Sequence, residues 1–269
     1  MQAAIEARHL EYTYGRELVL NDISFAVSKS DFFIIIGPNG SGKTTLLKLL
    51  SGIFKSLAGS LAIDGQPLQS YSRKMLARTI AYVPQMIQTD FPFTVREVVL
   101  MGRSPHLGVL GLEGVKDRDL AEEAMGFTEV AHLAKRKLNE LSGGECQRVY
   151  IARAICQQTG IILLDEPTAS LDLAHQVRIM DLMEKLQKER KITVVMVSHD
   201  VNLAAMYGSR VLLLKEGRLL NLGLPQEVMT FESLEDAYGC RLLVDASPIG
   251  SFPRITLVPE RYMKPESTV

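Results

Sequence analysis

The 269-residue chain has almost no net charge, with 30 Lys and Arg interspersed among 31 Asp and Glu. Lacking a basic stripe, it has no electrostatic footprint for a nucleic-acid backbone, and no nucleic-acid partner is expected. Cysteine is scarce: Cys146, Cys156 and Cys240 are far apart and show no C-x-x-C spacing. They read as reduced thiols. No apolar run reaches the length that crosses a bilayer, and Met1 to Glu6 lacks the basic and apolar regions of a signal peptide. A chain on the cytoplasmic side, meeting any membrane through a partner, is therefore expected. Internal repeats and low-complexity tracts are absent, and so is an Asn-Lys-x-Asp guanine motif.

What is present is organised around Gly37-Pro38-Asn39-Gly40-Ser41-Gly42-Lys43-Thr44-Thr45. The apolar run Phe32 to Ile36 precedes it and Leu46 to Leu50, of helical composition, follows. A buried strand, a glycine-rich turn and a helix in that order form a phosphate-binding loop: the backbone curls N–H groups inward and the helix adds its positive end. Lys43 is placed to reach the β- and γ-phosphates, and Thr44 to give its hydroxyl to Mg²⁺.

Residues 4 to 27 alternate apolar and polar, which predicts antiparallel strands broken at Tyr14-Gly15. Tyr14 either stacks on an adenine ring or packs on the strand edge. Gly59 to Gly65 reads as a strand ending in an Asp-Gly turn, Arg73 to Arg78 as a helix, and Thr79 to Val83 as a buried strand ending at Pro84-Gln85. Ligands in open α/β sheets lie beyond the carboxyl ends of strands. Gln85 is thus either a sensor of metal or γ-phosphate or a solvated loop residue.

From residue 86 the texture becomes helical, with a capping box at Thr94 to Glu97, a loop from Gly102 to Gly114 and a helix over Asp117 to Met125. Phe91, Pro92 and Phe93 are candidates for a contact surface or for local packing. Within this lobe, Ser142 and Glu145 of Leu141-Ser142-Gly143-Gly144-Glu145 have capping-box spacing ahead of Val149, Ala152 and Ile155. Two glycines in a first helical turn are costly, and close approach of an anion is the reason that suggests itself.

The run Gly160 to Leu164 ends in Asp165-Glu166: beside Lys43 and Thr44, Asp165 would bind Mg²⁺ and Glu166 would polarise the attacking water, the alternative being a strand-to-loop cap with solvated acids. A long helix is predicted next, with Leu173, Val177, Met180 and Met183 on one stripe. Ile192 to Val197 then reads as a strand stopping at Ser198-His199-Asp200, so His199 either donates to the γ-phosphate or is structural. Arg210 to Leu214 and Arg218 to Leu222 form a hairpin, 225 to 238 short helices and 241 to 245 a strand, while the last fifteen or so residues carry little signal.

In this order the phosphate loop, Gln85, Leu141 to Glu145, Leu164-Asp165-Glu166, Ser170-Leu171-Asp172 and His199 resemble the nucleotide-binding subunits of ATP-binding cassette transporters over nearly the whole chain. The resemblance implies an α/β fold: a P-loop NTPase (RecA-like) core with an antiparallel β subdomain and an inserted α-helical subdomain. Residues 1–85 and 159–230 would form the core, 86–158 the helical subdomain and 231–269 a C-terminal extension. It implies ATP and Mg²⁺ as cofactors, Lys43, Gln85, Glu166 and His199 as catalytic residues, and Thr44, Gln85 and Asp165 as metal residues. Nucleotide binding falls to Tyr14, to Gly37 through Thr45, and to Ser142, Gly143, Gly144 and Asp172, with Ser142 and Gly144 reaching the ATP of a second copy.

Phe91 to Pro105, Leu171 to Gln176 and Thr230 to Gly239 look like ATPases serving iron-siderophore, haem and cobalamin importers. The resemblance therefore implies a peripheral subunit at the cytoplasmic face of the membrane, with permease subunits as partners and, indirectly, a substrate-binding protein. An exporter subunit, a soluble cassette acting in translation or DNA repair, and an unrelated P-loop kinase or GTPase are the competing readings. Soluble cassettes usually carry two cassettes or a long coiled-coil insertion, and a kinase would leave Ser142 to Glu145 unexplained. Cys146, where polar residues are usual, and Ser209, where many relatives have Asp, depart from the pattern.

Overall fold

Strands β1 (Ala3–Tyr14) and β2 (Glu17–Ser28) form the first hairpin, and its alternation turns Ile5, Ala7, Leu10, Leu20, Ile23 and Val27 inward. The computed structural model describes residues 3–85, 92–108, 111–169 and 171–262. After β3 (Phe32–Ile36) and α1 (Lys43–Leu50), the chain makes β4 (Ala58–Ile63) and β5 (Gln66–Pro67). Asp64 and Gly65 between them both have positive φ, as a tight hairpin turn requires. These strands join the first hairpin in an antiparallel sheet of order β2-β1-β4-β5.

Helix α2 (Arg73–Thr79) leads to β6 (Ile80–Val83), and α3 (Val95–Leu100), α4 (Val115–Phe127) and α5 (Gly143–Cys156) follow without a further strand among the described residues. The capping boxes at Thr94–Glu97 and Ser142–Glu145 both form. The stretch expected as a loop from Gly102 is instead wound into a 3-10 turn, Met101–His106. Buried Arg103 pins it, donating to Asp117 Oδ1 and to the Cys156 carbonyl, both at 2.9 Å. Phe91 and Ser170 lie outside the described residues.

A second sheet runs β10-β9-β3-β8-β7-β6, built from β7 (Ile161–Asp165), β8 (Thr193–Val197), β9 (Arg210–Lys215) and β10 (Arg218–Gly223) with β3 and β6. All its pairs are parallel except β9 with β10. Its central strands are apolar except for Asp165 and Thr193 at their ends, because both faces are covered. In β3, Phe32, Ile34 and Ile36 enter the core shared with the helices, while Phe33 and Ile35 enter the core under α1 and the antiparallel sheet; β7, β8 and β9 divide their residues the same way. Ser209 is ordered where it stands, since its hydroxyl bonds both the amide and the carbonyl of Phe32. Cys146 is buried and donates to the Leu138 carbonyl.

Two further expectations are corrected. On α6 (Leu173–Arg190) the buried residues are Ile179, Met180, Met183 and Leu186, whereas Leu173 is 79% and Val177 42% exposed. Their spacing fits the stripe, but the first two turns start at the carboxyl edge of the sheet, short of the core. After α7 (Val201–Tyr207), the expected short helices α8 (Pro225–Val228) and α9 (Phe231–Tyr238) and the expected strand β11 (Leu242–Ala246) form, but the last residues carry structure too: β12 (Pro253–Leu257) pairs with β11. With only Pro253 and Ile255 of β12 buried, five residues give too short an alternation to read.

Candidate nucleotide-binding site

Strand register collects the chemistry on one edge. Ile35 lies beside Val197, Val197 beside Asp165 and Leu164 beside Val83. The phosphate loop, His199, Asp165-Glu166 and Gln85 therefore leave neighbouring strands at the same end. A cleft of about 360 Å³ there is lined by Asn39, Gly40, Gly42, Lys43, Thr44, Gln85, Glu166 and His199.

The loop is a backbone cradle. A Cβ on Gly37 (φ 148°) would lie 2.1 Å from the Leu214 carbonyl oxygen and 2.9 Å from Ser41 Oγ. Gly42 caps α1 in the left-handed region with no side-chain bond, and a Cβ there would sit 2.7 Å from Leu20 Cδ2. Ser41 Oγ is buried without a hydrogen-bond partner among the described residues. Lys43, 5% exposed, donates to the carbonyls of Gly37 and Pro38, each at 2.9 Å. Burial lowers its pKa, and the nearby Glu166 and Asp165 oppose that shift.

The acids sit opposite. Asp165 Oδ1 accepts from Thr44 Oγ1 at 2.9 Å and Oδ2 from the Tyr82 hydroxyl at 3.2 Å. Burial raises the Asp165 pKa, against the pull of those two bonds and of Lys48 and Lys43. Glu166 has φ +49°, a conformation a non-glycine residue adopts at a cost of about 1 to 3 kcal/mol. Its amide donates to the Val197 carbonyl at 3.2 Å, and each carboxylate oxygen is held, Oε2 by Gln85 Nε2 and Oε1 by His199 Nε2.

Other expected residues lie outside the cleft lining. Tyr14 is exposed at the end of β1, edge-on to Tyr12 and Phe54 with ring centroids 5.0 and 5.6 Å apart. Ser142 caps α5, its hydroxyl donating to Glu145 Oε2 at 2.8 Å. A Cβ on Gly144 would come 2.8 Å from His175 Cδ2, whereas Gly143 faces open space. One of the two glycines is thus needed for packing inside this chain. Asp172 caps α6 and holds the His175 ring at 2.7 Å. Tyr82, the second partner of Asp165, was read only as part of a buried strand; a phenol among aliphatic residues, two before Pro84, was its signal.

A family model described as ABC transporter matches residues 20–169. The ferric enterobactin transport ATP-binding protein FepC of Escherichia coli (strain K12) is 36% identical over 253 residues, covering 94% of this chain and 93% of its own. The chain belongs to the ABC transporter family. The cassette is also similar in structure to an inward-facing ABC transporter assigned to the metal-chelate type, with TM-score 0.86, 30% identity and coverage of 98% of this chain and 100% of that one. A further likeness is an ATP-binding cassette solved as a dimer in a post-hydrolysis state with ADP and Pi, at TM-score 0.71 and 32% identity, covering 82% and 98%.

As an ABC cassette the protein is an ATPase that uses ATP and Mg²⁺. The residues fit both. An orphaned buried hydroxyl at Ser41, a buried cation and a loop whose Gly37 and Gly42 leave no room for side chains make an anion site. The Thr44 hydroxyl and the Asp165 carboxylate are hard oxygen donors. One carboxylate and one hydroxyl, completed by phosphate oxygens and water, make the kind of set that suits Mg²⁺. No helix of the described residues is long and apolar enough to cross a membrane.

Proposed function

We propose that this cassette is the ATP-hydrolysing subunit of a membrane importer for a metal chelate of the iron-siderophore, haem or cobalamin type. It sits peripherally at the cytoplasmic face of the inner membrane, driving a permease supplied by a substrate-binding protein. Support for the cargo class comes from FepC and from the chelate-type transporter. Residues 1–85 and 159–230 serve as the nucleotide core, 86–158 as the helical subdomain that meets the permease and 231–269 as an extension. The exposed side chains of Phe93 and Met101 support a contact face on that subdomain.

The observation that carries the catalytic reading is Glu166, held at both carboxylate oxygens by Gln85 and His199 at the mouth of the cleft. Lys43 exchanges its two carbonyl partners for phosphate oxygens. Thr44 and Asp165, already joined by a hydrogen bond, hold the magnesium ion, which when bound neutralises phosphate charge. Glu166 orients the attacking water and takes its proton at a carboxylate oxygen, while His199 donates toward the γ-phosphate. Gln85, bonded to Glu166, reports the state of the site to the permease. Tyr14 stacks on the adenine.

One chain offers two glycine-rich helix starts, near Gly40 and Gly143, but a nucleotide has one triphosphate. Two copies packed head to tail use both, with Ser142, Gly143, Gly144 and Asp172 of each closing over the ATP of the other. The relative solved as a dimer supports this arrangement. Glu166→Gln keeps the side chain's shape but removes the base. With ATP it is expected to run as a dimer in size-exclusion chromatography and to retain bound nucleotide. A variant that binds ATP yet stays monomeric would sink the sandwich.

A further inference from the structure

The C-terminal extension touches both ends of the site. Asn202, three residues beyond His199 on α7, exchanges two hydrogen bonds with the backbone of β12: its Nδ2 donates to the Ile255 carbonyl at 3.0 Å, and its Oδ1 accepts from the Ile255 amide at 2.8 Å. At the other end α9 lies against the outer wall of the phosphate loop, where a cleft of about 440 Å³ has Pro38 and Ser41 on one side and Asp236 and Tyr238 on the other. The turn between β9 and β10 completes the link, since Gly217 N–H donates to the Ser41 carbonyl at 3.1 Å while Lys215 pairs with Asp236 at 2.7 Å.

Tyr238 is the unusual member. Its hydroxyl is buried and makes no hydrogen bond of ordinary geometry among the described residues. Burial pushes its pKa up to about 12, and the group that opposes this is the backbone amide of Gly37, the first residue of the loop. A buried hydroxyl without a partner is costly and rare enough to need a reason. Between the two contact points lies an apolar cavity of about 430 Å³, with His199 and Asn202 on one wall and Leu234, Tyr238, Leu242 and Ile255 around it. The phosphate loop and the His199 turn therefore share one support outside the six-stranded sheet.

We propose that the segment from Phe231 to Leu257 is a positioning brace for ATP hydrolysis, with Asn202 setting the His199 turn through β12 and Tyr238 setting the phosphate loop through Gly37. The proposal rests on the reading of Lys43 and His199 as nucleotide residues. The Tyr238 hydroxyl is kept unbonded in this arrangement because its partner, the Gly37 amide, comes into line when the loop closes on phosphate. Asn202 acts on turnover and Tyr238 on nucleotide affinity.

The test is steady-state ATPase kinetics, ATP affinity with a fluorescent analogue, and thermal unfolding of the full chain. Asn202→Ala is expected to lower kcat about tenfold with KM within about twofold, and Asn202→Asp, which keeps the acceptor, to recover part of the loss. Tyr238→Phe is expected to weaken ATP binding about threefold to tenfold while Tm holds or rises, because the orphaned hydroxyl is gone. A structural role alone would lower Tm and leave affinity unmoved. If Asn202→Ala and Tyr238→Phe both match the parent in kcat, KM and affinity within about twofold, the brace is overturned. Lys43→Ala run beside them separates the failures: turnover surviving that change would refute the site reading, whereas its loss with both brace variants unaffected would refute the brace alone.

Discussion

The two glycine-rich helix starts of this cassette look alike in sequence and differ in what satisfies them. At α1 the cap is Gly42 in the left-handed region, with no side chain closing the helix end. The first amides are left for a ligand, and the glycines are enforced by the Leu214 carbonyl and the Leu20 side chain. At α5 the chain caps itself: Ser142 Oγ accepts from the Glu145 amide, and Glu145 Oε2 accepts from both the amide and the hydroxyl of Ser142. Only the amides of Gly143 and Gly144 stay outside that box. A preformed anion cradle therefore faces the chain's own cleft, while the second start is a finished helix end that can offer an approaching phosphate little more than two amides and a hydroxyl. That asymmetry suits the proposed site assembled from two copies, in which each chain preforms one phosphate cradle and α5 is capped without a ligand.

The largest effect that tests the comparison is Lys43→Ala. It removes the one buried cation of the cradle, and turnover is expected to fall by at least about a hundredfold in a phosphate-release assay. Full activity would mean that α1 is only a strand-to-helix turn. The glycine pair of α5 gives a finer cut. Gly144→Ala drives a methyl into the His175 ring, which Asp172 holds in place, and a net loss of about 1 to 2 kcal/mol is expected in urea unfolding. Gly143→Ala meets nothing within the chain and should hold or gain up to about 1 kcal/mol from helix propensity. If Gly143 is nonetheless where a second copy's nucleotide lands, ATPase activity falls as stability rises. Unchanged activity would remove Gly143 from the interface.

The fold was legible where burial on both faces makes strands continuous. Phe32 to Ile36, Ile161 to Leu164 and Thr193 to Val197 read directly, and their carboxyl ends told which residues would meet. Tyr82 was harder, since the bond to Asp165 depends on β6 lying beside β7, a neighbour relation no local pattern encodes. A second use for Gly144 was hidden for a similar reason. The cost of the α5 glycines in a helix was evident, but the contact excusing Gly144 comes from His175, more than thirty residues on. Of the tail, α8, α9 and β11 were legible, while β12 was not, because it buries only two side chains and makes its informative contact through backbone atoms to Asn202.

The smallest expected effect separates the two starts by acid. The Ser142 amide and hydroxyl hold the Glu145 carboxyl below the usual carboxylate range, with Arg148 and Arg136 adding to the pull. A depressed pKa in the folded chain means that the cap contributes fully above the unfolded value of about 4.3 and is lost as pH falls through the lower folded value. The Gly42 end of α1 has no titrating cap and so no such dependence. Glu145→Gln should accordingly lower Tm by a constant few degrees above about pH 5.5, with the gap to the parent narrowing below about pH 4. A gap that persisted unchanged into acid would show that the carboxylate's charge plays no part in the cap.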